Sequence, residues 1–142
     1  MINARFVPID VWPQEKTKGR SSSPFSVKWV KLLDDLEIEL NKIGAKDIVI
    51  QVALSCNDIR TDGWPKATAV FREPGVILSF VKRGGEEISF PCDTYSHYQA
   101  NLRAISLTLT ALRSIDRYGV SKTSILVRSW LDSLWEKLFH TS

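Results

Sequence analysis

Apolar residues recur along this chain with two different periods. Over 26–43 they fall at helical spacing: Trp29, Leu32, Leu33, Leu36, Leu40 and Ile43 share one face, and Gly44 supplies the stop. Ser26 stands where it can cap this helix. The opposite face carries Asp34, Asp35, Glu37 and Glu39 and reads as solvated. Over 48–54 the period drops to two, with Ile48, Ile50, Val52 and Leu54 forming the strongly apolar side of a strand. Residues 67–71 read as a second strand, broken by Glu73-Pro74-Gly75. Residues 76–82 and 87–91 read as a hairpin about Gly84-Gly85.

A long helix follows over 96–119. Tyr98, Leu102, Ile105, Leu109 and Leu112 make one apolar arc, and Ala104, Leu107, Ala111 and Ile115 make a second, so this helix is expected between two layers. A last helix over 122–139 would bury Val127, Trp130, Leu131, Leu134 and Leu138. Upstream, Pro8, Pro13 and Pro24 punctuate a segment of another kind, read as an extended arm over 6–12 and a mobile polar loop over 14–23. The chain thus divides into a basic arm and loop (1–24), an α-β-β-β-β-α core (25–120) and a C-terminal helix (121–139). Short connections between the strands predict a mostly antiparallel sheet of about four strands with helices packed on one face, an α+β two-layer sandwich. Trp29, Leu36 and Leu40 are expected to pack on Ile50, Val52, Leu78 and Phe80.

Composition narrows the class. At 142 residues, 44% hydrophobic and +3 net charge, the chain suits one globular domain and not a disordered one. No apolar run approaches the ~20 residues that cross a bilayer, and the first residues lack the order of a secretory leader. Two cysteines, Cys56 and Cys92, suit a reducing cytoplasm. A membrane partner is not expected.

Chemistry-bearing motifs are few. No Gly-rich phosphate loop, Gly-x-Ser-x-Gly elbow or His-Glu-x-x-His occurs. Cys92 and His97 read as a strand-end cysteine beside a helix-capping histidine rather than as a nucleophile pair. Asp58, Asp62, Glu73 and Glu87 could build a small metal-dependent enzyme, but their spacing follows no ligand pattern. No catalytic residue, cofactor or metal ligand is therefore assigned.

The densest segment is 58–66, where acids, bases and a tryptophan alternate around Gly63-Trp64-Pro65. It reads as a recognition loop with Trp64 as anchor and Arg60, Asp62 and Lys66 as charged contacts. It also reads as a cover for the sheet edge, with Arg60 held locally by Asp58 or Asp62. Asp116 falls on the apolar arc of the long helix and needs a cation, for which Arg60 is the chosen partner and Arg113 the other candidate. Arg103, Arg113 and Arg117 form a polar stripe that can bind phosphates or pair with the acidic face of the first helix. Lys16, Lys18 and Arg20 form a candidate basic arm toward phosphate or an acidic partner.

Several runs together resemble a known family: Pro24-Phe25-Ser26-Val27-Lys28-Trp29, Ile59-Arg60-Thr61-Asp62-Gly63-Trp64-Pro65, Pro74-Gly75-Val76-Ile77-Leu78-Ser79-Phe80, Asn101-Leu102-Arg103-Ala104-Ile105 and Asp116-Arg117-Tyr118-Gly119-Val120. Over about 24–120 the chain resembles an uncharacterised bacterial and phage domain that often precedes a J-domain. A J-domain needs His-Pro-Asp, whereas here His97 precedes Tyr98 and His140 precedes Thr141. The resemblance implies a recruiting or binding domain and carries no catalytic residues. The expected function is a non-catalytic interaction module that engages a protein partner or a second copy of itself. The alternatives are a nucleic-acid binder using the basic arm and the Arg stripe, and the metal-dependent enzyme.

Overall fold

Four strands and two helices follow in the order β1 (Ala4–Pro8), α1 (Trp29–Ile43), β2 (Lys46–Val52), β3 (Val76–Val81), β4 (Glu87–Cys92) and α2 (Tyr98–Arg117), with a short 3-10 turn at Cys56–Asp58. The computed structural model describes residues 3–22 and 27–117, the side chains of 116 and 117 excepted. Ser26 and the expected last helix lie outside the described residues.

The strands form one sheet in the order β1-β2-β3-β4. β2, β3 and β4 are antiparallel neighbours, while β1 runs parallel to β2. A parallel pair needs a crossover, and α1 supplies it. One row shows how the sheet face is built: Phe6 pairs with Ile50, Ile50 with Leu78, and Leu78 with Phe90. All four are buried in a single core with Leu32, Leu36 and Leu40 of α1 and Leu102, Ile105, Leu109 and Leu112 of α2. Both helices therefore cover the same face, as expected of the α+β sandwich. Leu36, Leu40, Ile50, Val52, Leu78 and Phe80 meet in this core, and the half-buried Trp29 packs at its margin. On the other face Ser79 and Ser89 are opposite one another and share a hydroxyl hydrogen bond of 2.9 Å.

Several expectations are corrected. The segment read as an arm over 6–12 instead contributes β1, an edge strand whose Phe6 is buried. Residues 67–71 are not a strand. Ala69 and Phe71 turn toward the core and Val70 is exposed, which mimics strand alternation. The backbone bonds there run from Ala69 N–H to Lys66 O and from Arg72 N–H to Ala53 O, with no ladder. The first helix begins at Trp29, where Lys28 occupies the N-cap without a side-chain bond.

The loop over 14–23 was expected to be mobile, but its later part is tied down. Ser21 N–H donates to Thr94 O at 3.2 Å, and Ser96 N–H donates to Ser21 O at 3.0 Å. Asp93, only 2% exposed, accepts from Thr17 N–H at 2.8 Å, from the Thr17 hydroxyl at 2.5 Å and from Arg20 Nη2 at 3.2 Å. Burial alone would raise the Asp93 pKa, but the bonds from Thr17 and Arg20 outweigh it and hold the carboxyl below its ordinary range. The second apolar arc of α2 is less covered than expected, since Leu107 is 39% exposed and Ala111 is exposed. No helix among the described residues is long and apolar enough to cross a membrane.

Candidate functional site

The loop over 58–66 is a small closed hairpin. Arg60 N–H donates to Trp64 O at 2.7 Å, Gly63 N–H to Arg60 O at 2.9 Å and Lys66 N–H to Asp58 O at 2.8 Å. Asp62 caps the turn from inside by accepting from Trp64 N–H at 3.2 Å, and its carboxylate also pairs with Arg60. The loop docks on β1: Phe6 N–H donates to Gly63 O at 2.7 Å, and the Trp64 ring lies on Phe6 with centroids 5.1 Å apart. Gly63 has φ +88°, and a Cβ there would come within 3.2 Å of the Arg5 Cβ, so a side chain would push the loop off the strand.

Arg60 is therefore held by its neighbour Asp62. Asp116, its expected partner, has its side chain outside the described residues. Sequence reasoning offered both a recognition loop and an edge cover, and the half-buried Trp64 lies over the β1 edge while also facing a cleft.

That cleft, of about 610 Å³, lies where both helices begin. Trp29 and Val30 of α1, the loop from Arg60 to Phe71, and Tyr98 of α2 surround it. Its aromatic side is continuous. Phe71 stacks on Tyr98 with centroids 3.9 Å apart and planes 11° apart, Trp29 meets Tyr98 edge-on at 5.7 Å, and His97 lies 5.2 Å from Tyr98. Burial pushes the Tyr98 phenol pKa up, against a smaller lowering by the bond from Gln99, so the ring stays neutral. Asp34 and Lys66 stand at the rim, exposed and without an ion pair among the described residues. The cleft thus brings Arg60, Asp62, Trp64 and Lys66 together with aromatic residues that periodicity had assigned to the core.

No protein-family model, curated protein or solved structure matches the chain. What the site can do rests on its own geometry.

The two arginines of the stripe that lie within the described side chains are engaged by α1. Arg103 Nη1 reaches Asp35 Oδ2 at 3.1 Å, and Arg113 holds Glu39 through Nε at 2.8 Å and Nη2 at 3.3 Å. Of the two readings of the stripe, this geometry is the pairing with the acidic face of the first helix, so that face is not simply solvated. The bond from Arg113, opposed by burial, depresses the Glu39 pKa; the bond from Lys31, with help from Arg103, depresses that of Asp35. The Arg117 side chain lies outside the described residues. In the basic arm, Lys16 pairs with Glu73 at 3.3 Å, Arg20 pairs with Glu73 and Asp93, each at 3.2 Å, and Lys18 is exposed.

The residues weighed for catalysis are dispersed. Asp58 accepts from the Ser55 hydroxyl, Asp62 serves the loop, Glu73 serves Lys16 and Arg20, and Glu87 is exposed at the start of β4. Among the described residues no three His, Cys, Asp or Glu side chains gather as a metal site. Cys92 contacts Asn101 Oδ1 at 3.4 Å, and His97 Nδ1 accepts from Gln99 N–H at 3.2 Å at the start of α2. Asn101, fully buried, also accepts from Tyr95 N–H and donates to the carbonyls of Pro74 and Tyr95, pinning the approach to α2.

The sequence reading missed Trp29, Phe71 and Tyr98 as site residues. The signal was present: Trp29 and Tyr98 are the first residues of the two helices, where a side chain can lean past the sheet.

Proposed function

We propose that the chain is a non-catalytic interaction module that recruits a protein partner by taking an extended segment of it into the aromatic cleft. One observation carries this reading: Trp29, Trp64, Phe71 and Tyr98 line a single cleft whose rim holds charges of both signs. Large rigid rings at the centre of a pocket, ringed by polar groups, are the composition of binding hot spots. The occupied arginines Arg103 and Arg113 weigh against a phosphate-binding stripe, since each would first have to leave a carboxylate.

The test is selection of peptides from a displayed random library on the purified chain. Val30, 69% exposed at the rim of the cleft, is the blocking position, and Ile38, 51% exposed farther along α1, is the control. Selected peptides should lose binding to Val30→Arg and keep it for Ile38→Arg. Peptides that bind Val30→Arg as well as the unaltered chain would place recognition elsewhere.

A further inference from the structure

The aromatic cleft offers a partner little backbone pairing. On its loop wall the N–H groups of Arg60, Gly63, Lys66 and Ala69 are spent on carbonyls of the loop, that of Trp64 is spent on Asp62, and Pro65 has none. The β1 edge beneath Trp64 is closed where Phe6 N–H donates to Gly63 O. A partner strand therefore finds no ladder to extend there.

Rings and side-chain donors are what the cleft presents instead. Neither the Trp29 nor the Trp64 indole N–H has an acceptor among the described residues. Of those residues, only Trp12 has a side-chain donor that is both unpaired and sealed from solvent, so the indoles of Trp29 and Trp64 stay accessible. The Tyr98 hydroxyl accepts from Gln99 Nε2 at 3.2 Å, which leaves its own proton to donate. Donors set among aromatic rings suit a backbone that is already extended, presents carbonyls and has few N–H groups to satisfy. Proline supplies all three, because its ring holds φ at about −65°, removes the N–H and favours the polyproline II helix.

The rim adds charge. Arg60 and Asp62 neutralise each other. Asp34 on α1 and Lys66 on the loop are exposed and without an ion pair among the described residues. A segment with a base at one end and an acid at the other is complementary to these two.

We propose, on the reading of this cleft as a docking site, that its occupant is a proline-rich segment in the polyproline II conformation, with a basic residue that meets Asp34 and an acidic one that meets Lys66. Its prolines lie on the rings of Trp29, Trp64, Phe71 and Tyr98, and its carbonyls accept from the indoles. Such a segment is preformed, so little conformational entropy is lost when it docks. The opposed charges fix the direction in which it lies.

The experiment selects short random displayed peptides on the full chain and counter-selects on Val30→Arg, so that cleft-dependent sequences are kept. These should be enriched in proline over the unselected library, with Lys or Arg toward one end and Asp or Glu toward the other. Asp34→Lys should weaken such a peptide roughly three- to tenfold, since it reverses one exposed charge contact. Cleft-dependent peptides with no excess of proline would overturn the proposed occupant and leave the docking reading intact. Binding unchanged by Asp34→Lys would overturn the charge pairing. A selection that yields no cleft-dependent peptide would overturn both the occupant and the docking reading.

Discussion

Arg113 of α2 grips Glu39 of α1 by two hydrogen bonds, Nε to Oε2 at 2.8 Å and Nη2 to Oε1 at 3.3 Å. Glu39 is nearly buried, so the pair sits where water screens it little. It fixes the two helices in register, with Arg103 and Asp35 repeating the arrangement nearer the helix starts. A double-mutant cycle with Glu39→Gln and Arg113→Gln should give a coupling of roughly 1–3 kcal/mol in urea titrations. Coupling near zero would mean that α1 and α2 are held by their apolar faces alone.

Acid should attack the pairs that the fold has formed. Asp93 and Glu39 both have depressed pKa values in the folded protein. The unfolded chain therefore takes up their protons first as pH falls, so the stability they contribute is full above the ordinary carboxylate range near pH 4 and is lost below it. Urea midpoints should be level between about pH 7 and 5 and fall steeply toward about pH 3. Asp93→Asn should flatten part of that fall and speed amide exchange at Thr17, whose N–H it would bind less strongly. A midpoint that rises on acidification would contradict these assignments.

Leu36 is fully buried where α1 meets the sheet. Leu36→Ala should cost about 2–5 kcal/mol in denaturant titration, the sum of lost transfer energy and the cavity left behind. A loss below about 0.5 kcal/mol would mean that this face of α1 is not the core face.

Periodicity made the central layer legible because its cause is local. Every second residue of a strand, and the 3.6-residue stripe of a helix, must meet the same core, so Leu36, Leu40, Ile50, Leu78 and Phe80 were readable together. The Gly84-Gly85 turn was readable because positive φ selects glycine, and both have it. β1 was not, since its pairing with β2 spans the whole of α1 and leaves no alternation in so short a segment. Residues 67–71 failed for the opposite reason: a loop laid over a core alternates like a strand. The hold of Asp93 on Thr17 and Arg20 joins residues more than seventy apart, which no local pattern reports. The loop at Arg60, Asp62, Trp64 and Lys66 stood out by composition, but its cleft is completed by Trp29, Phe71 and Tyr98, whose spacing signals only burial.

The central claim is that the aromatic cleft holds a segment of a protein partner. A photo-reactive amino acid placed at Val30, with the same residue at Ile38 as control, tests it in the cell that makes the chain. Ultraviolet light should join the chain to a distinct polypeptide from position 30 and not from position 38. Equal adducts from both positions, an adduct to nucleic acid at position 30, or no adduct from position 30 would contradict it.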